Sequence, residues 1–296
     1  MNPELIEIGL VGRGGASSVV VIAPHEGGSI RSFHSEFGGE QYRWLANADE
    51  ARPACFPMVP FGSRIRDGCF TFDSNDVRLA RNDPTGGHAI HGHGATASWR
   101  VLQQERARLV LEYAHPADAW PWQYVARQTF SLHERGLQIE LAVRNLSPQV
   151  MPAGLGIHPY FPRTAATRLR APVARWLRLD ADLLPIGREP VPQLLDVSAG
   201  LGLEARAFDH VFCEWSGDAR IDWPEQHTSL RLSRRRSGMP NHLVLWAPAG
   251  AEFFCLEPVS NLPDGFNLPD DLPNRFVHVP AAATYNERWL LSPLWR

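Results

Sequence analysis

Five short stretches concentrate the residues able to move protons: FGSRI at 61–65, HAIHGHG at 88–94, GIHPYF at 156–161, FDHVF at 208–212 and CLEPVSNLPDGFN at 255–267. In GIHPYF, Pro159 pushes His158 toward extended geometry, which predicts an imidazole on a strand or at its exit with little backbone freedom. A fixed imidazole is either a core side chain satisfied by a carbonyl or a group that exchanges protons near neutral pH. Glu257 follows the apolar run FFCL and precedes a proline, so its carboxylate is expected to be partly desolvated. Enzymes raise a carboxyl toward a general base's working range in that way; the plain alternative is an exposed strand-end glutamate. Imidazoles spaced like His88, His91 and His93 are able to converge on zinc. On a strand, however, His91 and His93 share a face while His88 points away, and no nearby cysteine or acid completes the set. One functional histidine is therefore expected, and no metal. Arg64 reads as a salt-bridge or strand-edge charge, and Asp209 and His210 as turn caps, unless the rest of the chain gives them more to do.

The elements that position these stretches read as strands. In TFSLHERGLQIELAVRN, Phe130 and Leu132, then Leu137, Ile139, Leu141 and Val143, alternate on one face of two strands, with Glu134-Arg135-Gly136 as the turn. SSVVVIAPHEGGSIRSF folds back around Gly27-Gly28, RVLQQERARLVLEY around Glu105-Arg106, and TSLRLSRRRSGMPNHLVLWAP around Gly238-Met239-Pro240. Gly12, Gly14 and Gly15 look like the loop that opens the first hairpin. The 25 prolines and 24 glycines leave few uninterrupted helical windows. No linker, charge run or short repeat divides the chain, so residues 1–296 are expected to form a single, mostly antiparallel all-β domain, a sandwich or barrel with few short helices.

Composition excludes several classes. All 29 basic residues are arginine, so Schiff-base catalysis and phosphate loops that need a lysine are ruled out. The formal net charge of −3 gives no electrostatic footprint for nucleic acid, and the Arg234-Arg235-Arg236 triplet reads as a solvated hairpin face. Cys55, Cys69, Cys213 and Cys255 stand singly, which predicts reduced thiols rather than a zinc ribbon or a disulfide scaffold. Glu4 and Glu7 occupy the place of a signal peptide's basic start, and no apolar run reaches the ~18 residues of a membrane span. A cytoplasmic protein with no membrane partner is expected. There is no Gly-x-Ser-x-Gly elbow and no dinucleotide loop at a strand-to-helix turn. Most of the ten tryptophans are expected to pack inside, although an exposed Trp face is a natural platform for a sugar ring.

In order along the chain, PFGSRI, NDPTGGHAIHGHG, GIHPYF, LRLDADLLPIG, FDHVF and LEPVSNLPDGFN resemble the aldose 1-epimerase (galactose mutarotase) family over almost the whole length. The resemblance implies a β-supersandwich of galactose-mutarotase type, an open groove for a small-molecule sugar, no cofactor, and a monomer or homodimer. Carried over motif by motif, it implies Glu257 as the general base that takes the proton from the anomeric hydroxyl and His158 as the general acid at the ring oxygen. His91 and Arg64 would bind sugar hydroxyls and steady developing charge, and Asp209 would anchor ring hydroxyls. Asp264 and Asn267 would shape the pocket. Ser63 stands where the galactose-active group carries asparagine, and HAIHGHG is closer to a less characterised bacterial branch, so the resemblance specifies the reaction more closely than the sugar. Two other readings stay open: a sugar-phosphate mutarotase, with arginines as a phosphate clamp, and a carbohydrate-binding protein without turnover.

Overall fold

In the computed structural model the described residues are 5–12, 15–46, 52–84, 87–204, 206–234, 241–269, 272 and 275–295. Glu4, Gly14, Arg235, Arg236 and the Gly238-Met239-Pro240 turn lie outside them. Strand alternation is written directly into burial: in the Gly136–Asn145 strand, Leu137, Ile139, Leu141 and Val143 are buried while Gln138, Glu140 and Ala142 are partly exposed. The partner strand Tyr124–His133 sets Phe130 opposite Ile139 and Leu132 opposite Leu137. Period-two patterns of this kind need a second layer to cover the apolar face, and the fold supplies one.

Two large antiparallel sheets make up that pair of layers. The larger has eleven strands among the described residues. It runs from Ile6–Val11 through Ser17–Ala23, Ser29–Phe37, Cys55–Met58, Gly156–Pro162, Phe253–Val259, His242–Ala247, Phe208–Cys213 and Arg175–Leu179 to Pro185–Pro190, and Glu40–Arg43 pairs with Ser29–Phe37. The other has nine, in the order Arg100–Glu105, Arg108–His115, Tyr124–His133, Gly136–Asn145, Thr284–Trp295, Thr228–Arg234, Asp218–Trp223, Arg168–Arg170 and Leu201–Gly202. One hydrophobic cluster draws residues from both sheets, and Trp44, Trp99, Trp120, Trp122, Trp223 and Trp289 are fully buried. Among the described residues, helix is limited to short 3₁₀ turns such as Arg66–Gly68 and Pro224–Gln226. No helix among the described residues is long and apolar enough to cross a membrane.

Three of the expected hairpins form around the expected turns. TSLRLSRRRSGMPNHLVLWAP does not fold as a hairpin: Thr228–Arg234 pairs in the nine-stranded sheet, whereas His242–Ala247 pairs in the eleven-stranded one. Both strands alternate, but alternation is blind to the identity of the partner. Arg234 is likewise not on a solvated face. Its side chain is 3% exposed, and its Nε donates to Glu287 Oε2 at 2.6 Å while its Nη2 donates to Glu287 Oε1. Tyr285 donates its hydroxyl to the same carboxylate.

A buried guanidinium is tolerable only while its carboxylate is in place. Glu287→Ala is expected to cost about 3–5 kcal/mol of unfolding free energy, read as a lowered urea midpoint at unchanged slope.

Candidate active site

Backbone register brings the two leading residues together. In the ladder between Gly156–Pro162 and Phe253–Val259, Gly156 lies opposite Val259 and Tyr160 opposite Cys255. Counting inward from either pair sets His158 across from Glu257, and the imidazole Nε2 lies 3.1 Å from carboxylate Oε1. Each of the two residues precedes a proline, Pro159 and Pro258. Each proline confines its predecessor to extended geometry and lacks an N–H, so backbone pairing lapses between the two flanking pairs. Both side chains are nearly inaccessible, at 8% and 4% exposure. Gly156 is needed for the approach: a Cβ there would sit 2.7 Å from Met58 Cε and Val259 Cγ1. The expected strand position of His158 holds, and Glu257 is buried rather than exposed at a strand end.

A wall of backbone turns closes one side. Arg64 pairs with Ile90 in a two-residue ladder, and the next residue, His91, turns its ring on His158, centroids 5.2 Å apart at 88°. Ser63 and His91 hold each other: the His91 N–H donates to the Ser63 carbonyl at 3.1 Å, and the Ser63 N–H donates to His91 Nδ1 at 3.2 Å. Both have left-handed φ, 58° and 62°. Positive φ in non-glycine residues costs free energy and persists only where neighbours enforce it. The SNLPDGFN segment enforces it here. Asn261 Oδ1 accepts from the Gly62 N–H at 2.9 Å, and its Nδ2 donates to the Gly62 carbonyl at 2.8 Å. Asp264 donates its N–H to the Arg64 carbonyl at 2.6 Å and accepts from the Arg66 N–H at 2.9 Å, while Asn267 Nδ2 donates to Asp264 Oδ1 at 2.7 Å.

On the other side, Asp209, Trp246, Cys255 and Tyr160 form one row across four strands. Alternation puts that row on the same sheet face as His158 and Glu257. Trp246 is partly exposed and lies 6.5 Å from both His158 and Tyr160, and Phe56 stacks on His158 at 4.4 Å. The five residues singled out from sequence, Arg64, His91, His158, Asp209 and Glu257, thus gather around the Glu257 carboxyl. His88 and His93 do not join them. Only Ala89–Ile90 is strand in that segment, and the left-handed turn at His91 cancels the alternation. His93 stacks instead on His115 at 4.2 Å, with Nδ1 3.1 Å from the Tyr124 hydroxyl, and His88 Nδ1 accepts from the Asp67 N–H. Three residues of the groove were not anticipated: Phe56, Trp246 and Asp83, whose Oδ2 accepts from Arg64 Nε at 2.6 Å. Of these only Asp83 carried a signal, its place inside the NDPTGGHAIHGHG motif.

The sequence profile of the aldose 1-epimerase family matches residues 13–274. The chain belongs to the aldose 1-epimerase family. It is 30% identical over 223 residues to the uncharacterized protein YphB of Escherichia coli (strain K12), covering 73% of this chain and 76% of that one. Its fold matches the crystal structure of a candidate aldose 1-epimerase from Escherichia coli K12 with a TM-score of 0.85 at 24% identity, covering 99% of this chain and 100% of the other. A galactose mutarotase-like protein from Clostridium acetobutylicum superposes with a TM-score of 0.83 at 16% identity, covering 99% of each chain. The expected supersandwich of galactose-mutarotase type is therefore the fold of this family member.

Electrostatics in the groove of this family member favour neutral groups. Burial, reinforced by the negative charge of Asp209, raises the Glu257 carboxyl well above its usual range, with Arg64 pulling the other way. Burial lowers His158 well below its usual range, helped by His91. Burial and the Arg64 charge push His91 down to about 3, so its ring is neutral at physiological pH. Because His91 Nδ1 accepts the Ser63 N–H, the ring proton sits on Nε2. One potential ligand atom each from His91, His158 and Glu257 lies within 4.8 Å of the others, a spacing that suits a metal ion. The His91 tautomer opposes it: one nitrogen is occupied by Ser63 and the other is protonated, whereas a ligating histidine donates its second N–H to an acceptor.

The raised Glu257 carboxyl has a stability signature. The native state holds this proton more tightly than the unfolded chain, whose glutamate titrates near 4.5. That contribution is complete below 4.5 and is lost as pH rises through the raised native value. Glu257→Gln removes the loss, so its melting temperature is expected to gain progressively on wild type as pH rises above 4.5 in calorimetry.

Proposed function

We propose that the chain is an aldose 1-epimerase that interconverts the α and β anomers of a free aldose, with Glu257 as base and His158 as acid. The observation that carries this reading is the buried His158–Glu257 contact at 3.1 Å between two residues, each fixed ahead of a proline. Mutarotation needs one proton removed from the O1 hydroxyl and one delivered to O5. The C1–O5 bond then breaks as C1=O1 forms, the aldehyde turns about C1–C2, and O5 returns to the other face with the two protons restored.

The protonation pattern suits both halves of that cycle. With burial disfavouring charge on each partner, the resting pair carries one proton, on Glu257, beside a neutral His158. Shifting that proton along the hydrogen bond gives carboxylate and imidazolium, the state that opens a ring. After opening, Glu257 has gained the O1 proton and His158 has lost its own, which is again the resting arrangement. No proton from bulk water is needed, and each transfer is worth ~10²–10⁴-fold. The Nε2–H of neutral His91 and the Arg64 guanidinium would donate to sugar oxygens, Asp209 would accept from hydroxyls, and Trp246 with Tyr160 would offer the apolar face of the ring an aromatic wall.

A neutral sugar fits better than a sugar phosphate. Arg64 is held by Asp83 and Arg66 by Asp264, and Asp83, Asp209 and Glu257 place three carboxyl groups around the groove. Free thiols at Cys55, Cys69, Cys213 and Cys255 suit a reducing compartment such as the cytoplasm.

Polarimetry of freshly dissolved α-D-glucose and α-D-galactose at low temperature tests the reading. Wild type should hasten equilibration, and Glu257→Gln and His158→Ala should each lower the rate by ~10²-fold or more. Unchanged rates in both variants would refute the assigned roles. Sugar binding by wild type with no acceleration of any free aldose would establish a binding protein instead.

A further inference from the structure

Asp83 is the groove residue with the least obvious reason to be there. Its side chain is 1% exposed, yet it is an acid, and its Oδ2 accepts from Arg64 Nε at 2.6 Å. A grip at Nε fixes rotation of the guanidinium plane, which an ordinary end-on contact to a terminal nitrogen does not. The grip is itself rigidly mounted. The N–H groups of Asn82 and Asp83 both donate to the His88 carbonyl at 2.9 Å. Asn82 also brackets Ile90 as a neighbouring strand would, accepting the Ile90 N–H at 2.7 Å and donating to the Ile90 carbonyl at 3.1 Å. Ile90 pairs with Arg64 and immediately precedes His91. The Asn82-Asp83 pair therefore ties the Arg64 head group and the His91 backbone to one frame.

We infer that Asp83 is a positioning residue: it holds the Arg64 guanidinium in place at the sugar groove and prevents that positive charge from acting unopposed on the Glu257 carboxyl. The inference rests on the aldose 1-epimerase reading for its effect on turnover, but not for its effect on the acid–base pair. The ionisable groups that face Glu257 among the described residues are His158, His91, Asp209, Arg64, Tyr160, Cys55 and Cys255. Arg64 is the cation that stabilises Glu257's ionised form, and the Asp83 charge is felt at His91 and Asp209. Neutralising Asp83 removes a negative charge felt at His91 and Asp209 and leaves Arg64 unopposed beside Glu257, so the protons of the coupled groups leave at lower pH. A carboxylate that merely filled a hole would leave the pair's titration where it is.

The experiment compares wild type with Asp83→Asn, which keeps size and an acceptor for Arg64 but discards the charge. Two readouts are taken: the pH profile of anomerisation, and an NMR titration of the His158 imidazole and Glu257 carboxyl, which needs no turnover. The variant should raise KM by about ten-fold, as loss of a charged hydrogen bond does, with a smaller change in kcat. Both limbs of its profile, and the NMR midpoints of the pair, should move to lower pH. In Arg64→Gln/Asp83→Asn, which discards both charges, the midpoints should return toward wild type; this variant also serves if the lone Arg64 charge prevents folding of the single one. Unmoved midpoints in Asp83→Asn, or in the double variant a shift as large as the single one, would overturn the inference. If wild type shows no mutarotation, the functional reading fails, while the NMR midpoints still decide the role of Asp83.

Discussion

The site depends on the hydrogen bond between His158 and Glu257, and that bond depends on a register in which two neighbouring strands set two pre-proline residues face to face. A shift of one residue would turn either side chain to the core face of the sheet. The register is fixed from both ends: Gly156 admits Met58 and Val259 on one side of the pair, and Tyr160 with Cys255 closes the ladder on the other. Prolines are usually damaging in central strands because they remove ladder donors. Here the loss falls where the side chains take over the contact between strands, and the two prolines give rigidity at the only positions that need it.

Around that fixed pair the protein invests in irregular backbone. Left-handed residues at Ser63, His91 and Asp264 are unfavourable singly. They hold because three side chains of one segment, Asn261, Asp264 and Asn267, satisfy the backbone of a loop nearly two hundred residues away. SNLPDGFN is thus the fastening for FGSRI, and Glu257, the proposed base, lies on the strand that leads into it. Hydrogen bonds at such sequence separation close the groove only once the large sheet has assembled, which makes the site a product of global folding rather than of local propensity.

That division explains what could be read in advance. Period-two alternation and turn residues carry the strands and the nearest-neighbour hairpins, because both are local properties of the chain. The route from Thr228–Arg234 to His242–Ala247 failed for the complementary reason: each strand is correctly alternating, but its partner is chosen by burial in a different sheet. Arg234 looked solvated for the same cause, since Glu287, the acid that neutralises it, comes from a strand more than fifty residues away. His158 and Glu257 were legible through their flanking prolines and apolar neighbours, whereas the separation of His91 from His93 was not, because one left-handed residue reverses the phase of everything after it. Phe56 and Trp246 had no local mark at all; only the stacking of strands gives them a place beside His158.

The balance of charge suits the chemistry proposed for the site. The neutral sugar proposed as substrate would bring no ion to compensate buried charge, which suits ionised groups that are already paired, as Arg64 with Asp83 and Arg66 with Asp264 are. The acid and base cannot be paired permanently in ionised form, because desolvation would hold them there only at high cost. Leaving both neutral with one shared proton avoids that cost, and charge separates only when the proton shifts along the 3.1 Å hydrogen bond to His158. In the proposed reaction the substrate would then remove the charge separation by taking that proton at O5 and returning another from O1. Burial, which makes the pair a poor ion pair, is therefore what would fit it to exchange protons in the proposed reaction.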